Sequence, residues 1–389
     1  MRRLFWLSIL LCPLFLMADD TTVEHIIETK HEYTIEEDAF IEVENMVGTL
    51  TIEPSENSKV QLASSFHAFS PEEARSTELA GKLRLDVVES PKKLTVRAEF
   101  PVEQHSLYYY PLAGGAKKQF SKGRTRMNYR GKEITFFSEP TPAAVYLFCD
   151  ISIKVPQGMR MKVRNEVGII HVKGFDGDLN CETSVAGQNI ENGKGKVIAI
   201  SGSGDVSITV FSGQAACYTA SGKVNCRKMY GASELIVQTG SGPALFEGCI
   251  LKELNIETGS GVIEVGKSKI DSMRTSTGSG KVSLDDCEVN NELKIETGSG
   301  SVKMKGDFSE LQKMSVETGS GRIEFVSTPF PELQFDLFSA KGIKVQVPQL
   351  KAPRGTIHSF SGSIVEKPAG KAMIRSGSGQ IRLATKDEG

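Results

Sequence analysis

The sequence predicts an all-β protein whose larger part is a parallel β-solenoid (a β-helix) of about twelve coils with a period near 19 residues. Three observations carry that expectation. The phrase Thr-Gly-Ser-Gly stands at 239–242, 258–261, 277–280, 297–300 and 318–321, with close relatives at 201–204, 219–222, 359–362 and 376–379. The last glycines of these phrases, with weaker matches, fall at 168, 187, 204, 222, 242, 261, 280, 300, 321, 342, 362 and 379, and a fixed interval of this size marks a solenoid. Apolar residues recur with period two on both sides of each glycine, and a composition of 38 Gly, 1 Trp and 7% aromatic residues favours tight turns over a helical bundle.

Each unit reads as two half-buried strands around one corner. After the glycine, positions +2 and +4 are apolar, as in Val282/Leu284 and Val302/Met304; before it, positions −7 and −5 are apolar, as in Leu293/Ile295 and Met314/Val316. Position −3 is Thr or Ser in nearly every unit, including Thr239, Thr258, Thr277, Thr297 and Thr318. Its parity matches the buried pair, so its hydroxyls are expected inside, bonded to one another in a ladder. The Gly-Ser-Gly corner is expected to use backbone angles with φ > 0. Four or five inward side chains contribute about 1.5–3 kcal/mol each, whereas ordering the backbone costs about 1–2 kcal/mol per residue, so one unit cannot fold alone. Stacking closes each core layer from both sides.

The elements ahead of the repeats follow in order. Residues 1–18 have the layout of a secretory signal peptide: Arg2 and Arg3, an apolar run from Leu4 to Met17, and Ala18 before Asp19. The run is shorter than the ~20 residues a spanning helix needs, and no later stretch is long enough, so the mature chain should be exported (periplasm, cell surface or extracellular) without a transmembrane segment. Residues 19–100 form an N-terminal β segment, with strand-like runs at 39–43, 48–52, 82–87 and 93–97 and one short helix over 70–80, Ser70 its N-cap and Pro71 its first position. Residues 101–140 lose the alternation and become a basic, aromatic insert. The solenoid domain, 141–389, opens on a strand with Val145, Leu147, Cys149, Ile151, Ile153 and Val155 on one face.

This pattern resembles the bacterial putative-adhesin β-solenoids, secreted or surface domains of unknown function. The resemblance lies in Asp150-Ile-Ser-Ile-Lys-Val-Pro-Gln-Gly158 and the repeated Glu-Thr-Gly-Ser-Gly-x-Ile-x-Val phrase, and it covers about 143–385, and 33–100 more loosely. It implies a fold and an adhesin-like role, and it offers no catalytic residues to carry over.

Several motifs invite a chemical reading. Gly261-Val-Ile-Glu-Val-Gly266-Lys267-Ser268 matches the phosphate-loop pattern, but that chemistry needs a helix after the loop, and here the residues between the glycines are themselves a strand. The 6 His are scattered without ligand spacing, the repeats lack the Asp of calcium-binding nonapeptides, and no GxSxG elbow occurs, so no metal, cofactor or catalytic residue is expected. Position −4 carries Gln238, Glu257, Ser276, Glu296, Glu317 and Asp336, where neighbouring carboxylates could act as acid and base or hold a cation; an ordinary solvated face is the simpler reading. Cys149, Cys217 and Cys226 lie in apolar columns and read as small buried hydrophobes, with Cys217–Cys226 the one pair whose placement suits a disulfide.

Function is less legible. With 46 Lys+Arg against 48 Asp+Glu and a net charge of −2, a nucleic-acid partner is not expected. The expected partner site is 105–134, with Tyr108, Tyr109, Tyr110, Lys117, Lys118, Lys122, Arg124, Arg126, Arg130 and Lys132; its seven cations against Glu133 give a local charge of +6. Such a patch attracts acidic groups and its tyrosines can stack on sugars, although a solvated loop without a partner would look the same. The expectation is an exported, non-enzymatic, adhesin-like scaffold that binds a surface glycan, an envelope component or a protein. The alternative is a polysaccharide-active β-helix lyase or hydrolase.

Overall fold

The computed structural model describes residues 22–111, 123–350 and 357–385. The expected signal peptide lies outside them, as do Lys117, Lys118 and Lys122. Among the described residues the chain is all-β, with one helix, Glu73–Ala80, and a parallel, solenoid-like stack of strands. Two parallel ladders run the length of the stack. Leu235 pairs with Leu254, and Leu254 with Met273, before the corner; Ala244 pairs with Ile263, and Ile263 with Val282, after it. The inward residues of both ladders are buried in one continuous core.

The stack begins earlier in the chain than the phrase suggests. Strand Phe40–Pro54 pairs in parallel with Met159–Lys173 and sets Gly48 beside Gly168. Ile41, Val43, Leu50 and Ile52, at −7, −5, +2 and +4 from Gly48, are all buried. Asn45 takes the −3 position, its side-chain amide donating to the Cys149 carbonyl (2.8 Å). The corner after Gly168 is Ala186, not Gly187.

Two parallel strands, each backed by antiparallel ones, cover the N-terminal end. Lys93–Glu99 lies parallel to one half of Phe40–Pro54, with Arg84–Ser90 antiparallel outside it. Tyr146–Val155 covers the other half, followed by Val60–Ser70 and Val23–Tyr33. The helix packs on those last two strands through buried Leu79 and Ala80. Ser70 does not cap it. Glu72 is the N-cap residue, and the Ser70 hydroxyl instead accepts the Glu72 N–H (3.3 Å) in the preceding turn.

At the C-terminal end the coils do not follow chain order. Strands Lys313–Thr318 and Ile323–Ser327 pair directly with Gly370–Ser376 and Ile381–Thr385. Leu333–Gln346, earlier in sequence, lies beyond these, aligning Leu333 with Gly370 and Ile343 with Ile381. Gly362 is not a coil corner: Ile357–Gly362 runs antiparallel along the outside of Leu333–Gln346.

The corner chemistry also differs from expectation. The glycines at 204, 222, 242, 261, 280, 300, 321 and 379 are not in the positive-φ region. They are small because the coils touch there: a Cβ on Gly300 would sit 1.8 Å from the carbonyl oxygen of Gly280. The −3 hydroxyls do face inward, but they bond to backbone and not to one another. Thr297 accepts the Gly300 N–H (3.0 Å) and donates to the Gly280 carbonyl (3.3 Å); Thr318 does the same with Gly321 (2.9 Å) and Gly300 (3.1 Å). Positive φ does occur at the corners Gly48, Gly168 and Gly342, and the non-glycine residues Asn192, Val210, Lys228, Lys267 and Asp286 adopt it at the opposite turn.

Candidate functional site

The expected partner segment is a folded element. Leu107–Tyr109, Lys132–Phe137 and Arg124–Tyr129 form a separate three-stranded sheet. Arg130 (φ 51°) and Gly131 (φ 80°) make the two-residue turn between its antiparallel strands, and both positive angles suit a hairpin. Thr125, Met127 and Tyr129 alternate before that turn with Arg126 and Asn128 between them, a short period-two signal in a basic stretch.

Its tyrosines hold the sheet in place. Tyr108 is fully buried, 5.6 Å from the Phe136 ring and 6.5 Å from Phe100, so it is a core residue and not a stacking platform. Tyr109 meets Tyr146 edge-on at 4.7 Å, and Tyr110 meets Phe148 at 5.5 Å. Tyr146 in turn stacks on Phe69 (4.0 Å), and Phe148 on His67 (4.3 Å). These rings spend their faces and edges on each other. Arg130 bridges Glu99 (2.6 Å) and Glu44 (3.4 Å), and Lys132 reaches Glu103 (2.8 Å). Arg126 lies 3.9 Å from Glu133, and Arg124 stands exposed. Of the described candidates, Arg124 and Arg126 keep the character of an open basic surface.

A second surface runs along the glycine corners. By register the −4 column is Tyr218, Gln238, Glu257, Ser276, Glu296, Glu317, Arg375 and Phe338. Asp336 does not belong to it. Two residues further from the corner, it pairs with Met373, and Lys371 (2.9 Å) and Ser361 (2.8 Å) hold its carboxyl below the usual range. Beside this column lie two shallow open clefts. One, about 500 Å³, is walled by Ile200, Tyr218, Gln238 and Glu257 and floored by Gly240 and Gly259; the other, about 360 Å³, lies among Ser276, Glu296, Glu317 and Arg375 over Gly298 and Gly319. The floor is bare because the corners cannot carry a Cβ: at Gly259 it would meet the Gly240 carbonyl oxygen at 2.4 Å. Gln238 donates to Glu257 (3.1 Å), and Lys294 pairs with Glu296 (2.8 Å).

Other candidates resolve simply. Lys267 sits in a turn between two strands, with no helix following, and pairs with Glu247 (3.0 Å). Cys149, Cys181, Cys217, Cys226, Cys249 and Cys287 are free and buried. Cys226 and Cys217 are unbridged, and the Cys217 thiol beside it together with burial drives the Cys226 thiol well up. Among the described residues no group of three or more His, Cys, Asp or Glu is arranged to hold a metal ion, and no helix is long and apolar enough to cross a membrane.

Residues 132–326, half of the sequence, match the family Toastrack DUF4097. The chain belongs to that family. The Toastrack segment starts at the hairpin strand Lys132–Phe137 and ends within Ile323–Ser327, so the Gly48 coil and the exchanged coils lie outside it. No curated protein matches the Toastrack chain. Similar solved structures include a putative cell adhesion protein from Clostridium sporogenes (12% identical, covering 92% of this chain and 100% of that one, TM-score 0.18). Another is a putative adhesin from Parabacteroides merdae (11% identical, 92% and 95% covered, TM-score 0.29). A putative lipid binding protein from Parabacteroides distasonis is 13% identical, with 91% and 96% covered and a TM-score of 0.30. The architecture rests on the strand pairing itself.

Proposed function

We propose that this Toastrack chain is an exported, non-enzymatic, adhesin-like scaffold: a β-solenoid of about twelve coils with a period near 19 that binds a surface glycan, envelope component or protein partner. The observation that carries this reading is the glycine-floored groove, which offers one side chain per coil to an extended ligand and leaves the backbone approachable beneath it. Tyr218 supplies an apolar ring, and Gln238, Glu257, Glu296, Glu317 and Arg375 supply hydrogen-bond donors and acceptors along one line. Both clefts are open and shallow, which favours contact over a water-excluding reaction site. The polysaccharide-active alternative rests on the adjacency of Glu296 and Glu317 on that edge.

The test is attachment of the purified protein to isolated bacterial envelopes. Tyr218→Ala combined with Gln238→Ala should lower retention severalfold without changing the melting curve, and acidic polysaccharide incubated with the wild type should release no new reducing or unsaturated ends. Unchanged retention removes the groove from the reading, and released ends convert it to the enzyme.

Segment 105–134 is proposed as an auxiliary contact for acidic groups, through Arg124 and Arg126 together with Lys117, Lys118 and Lys122, which lie outside the described residues. Charge reversal at Arg124 and Arg126 should weaken only the salt-sensitive part of attachment.

A further inference from the structure

The exchanged coil order defines a slot. Strands Gly370–Ser376 and Ile381–Thr385 lie between two coils that both precede them in the chain, Lys313–Ser327 on one side and Leu333–Gln346 on the other. Each flank offers a ladder edge and a glycine or serine corner. The Ser376 hydroxyl donates to the Gly321 carbonyl (2.9 Å) on one side, and the Ser339 hydroxyl donates to the Gly379 carbonyl (2.7 Å) on the other. Side chains repeat the clamp: Arg382 pairs with Glu324 (2.9 Å) and bonds to Gln346 (2.8 Å), while Lys371 pairs with Asp336 (2.9 Å). Ala372, Ile374, Ile381 and Leu383 complete the core between the flanks.

We propose that this slot is an acceptor site for the 370–385 segment of a second copy of the chain, giving a dimer by reciprocal strand exchange. Everything the slot recognises is a property of the segment: its two ladder edges, its Ser-Gly-Ser-Gly corner and the Arg382 and Lys371 charges. None of it depends on which chain the segment comes from. Residues 347–369 join the flank to the segment, and among those described only Ile357–Gly362 is a strand, laddered on the outer face of Leu333–Gln346. The covalent connection therefore sets an effective concentration for self-insertion, and that is what a second copy must match. Exchange reproduces the same contacts on both sides of a two-fold axis, so it closes at two chains. Dilute protein is then monomeric, and crowded chains or chains folded together exchange.

Ser315 and Met373 face each other across the slot on half-exposed positions, at the spacing of adjacent strands, which a disulfide can span. Full-length Ser315→Cys and full-length Met373→Cys chains are mixed, unfolded and refolded together at rising concentration under oxidation, with wild type as the blank for the native thiols. The expected result is an interchain disulfide that grows with concentration, while the Ser315→Cys/Met373→Cys double variant at low concentration closes within one chain. No interchain bond in the concentrated mixture, with the double variant closing normally, overturns the proposal. Independently of the cysteine geometry, wild type refolded at the highest concentration should contain a dimer by light scattering, and a purely monomeric profile overturns the proposal as well.

Discussion

The Ser339 hydroxyl donates a 2.7 Å hydrogen bond to the carbonyl of Gly379, a residue forty positions later in the chain. Between coils that follow one another in the chain the same bond reaches back one repeat, as from Thr318 to Gly300, eighteen positions earlier. The reversal of direction is the chemical record of the exchanged coils. Ser339 needs a corner carbonyl beneath it, and the coil that supplies one is made from sequence that follows.

Thr297→Val should destabilise the fold by about 1–3 kcal/mol, the usual cost of stranding buried polar groups. Both the Gly280 carbonyl and the Gly300 N–H lose their partner, although the shape is conserved. Thr297→Ser should recover most of the loss. Denaturant midpoints of the three proteins check this, and equal midpoints would show that the hydroxyl is dispensable.

Two glycine substitutions should behave differently. Gly300→Ala places a methyl group 1.8 Å from a backbone oxygen that cannot yield, so the expected cost exceeds about 4 kcal/mol and reaches the range of outright misfolding. Gly158→Ala meets nothing within 4 Å and carries only the strain of a φ of +80°, about 1 kcal/mol. Thermal melts of the pair separate close approach from backbone conformation.

The described cysteines should be inert in the native protein. Burial pushes the Cys181 thiol up to about 12 and the Cys287 thiol up to about 11, and all six are enclosed in the core. At pH 8 a thiol reagent should label none of Cys149, Cys181, Cys217, Cys226, Cys249 and Cys287 before denaturant is added, and all of them afterwards. Mass spectrometry of the labelled peptides provides the count.

Acid should weaken the stack through Glu182. Burial alone would raise its carboxyl, but hydrogen bonds from Lys162 and Arg164 outweigh it and hold the group below the usual carboxylate range. A lowered folded-state value stabilises the protein above the unfolded value near 4.3, and that stability is lost as pH falls through the folded value. Glu182→Gln should therefore be less stable than wild type at neutral pH and should converge on it in acid. Parallel melting curves at every pH would remove Glu182 from the account.

Lys267→Ala should change neither the melting temperature appreciably nor any response to ATP, because the lysine side chain is exposed and paired with Glu247 on the surface. Calorimetry with ATP should show no binding by either protein.

The repeat made most of the fold legible. A corner that tolerates no Cβ, a hydroxyl at −3 and apolar pairs at ±2 spacing are local demands of one coil on the next, so they recur in sequence wherever a coil occurs. Gly48 obeys them with Asn45 in the place of Thr, and it was readable by that pattern though not by the Thr-Gly-Ser-Gly phrase. The hairpin around Arg130 and Gly131 was also readable, from Thr125, Met127 and Tyr129. The groove is legible as a column of residues at −4, which places Phe338 rather than Asp336 before Gly342, but the order of its last two members is not, because chain order and stacking order differ there.

The sequence by itself determined that the chain stacks parallel coils around one core, because periodicity is a property of each unit and its nearest neighbour. Only the tertiary structure decided which coil neighbours which at the ends, and therefore that Arg375 stands between Glu317 and Phe338 in the groove. It also decided that Tyr108 is core and that the rings of Tyr109 and Tyr110 pack against Tyr146 and Phe148. The physical reason is the same in each case. Coils share one corner code and therefore accept one another interchangeably, and aromatic side chains carry no mark of the face they will meet, so the choice falls to contacts between residues far apart in the chain.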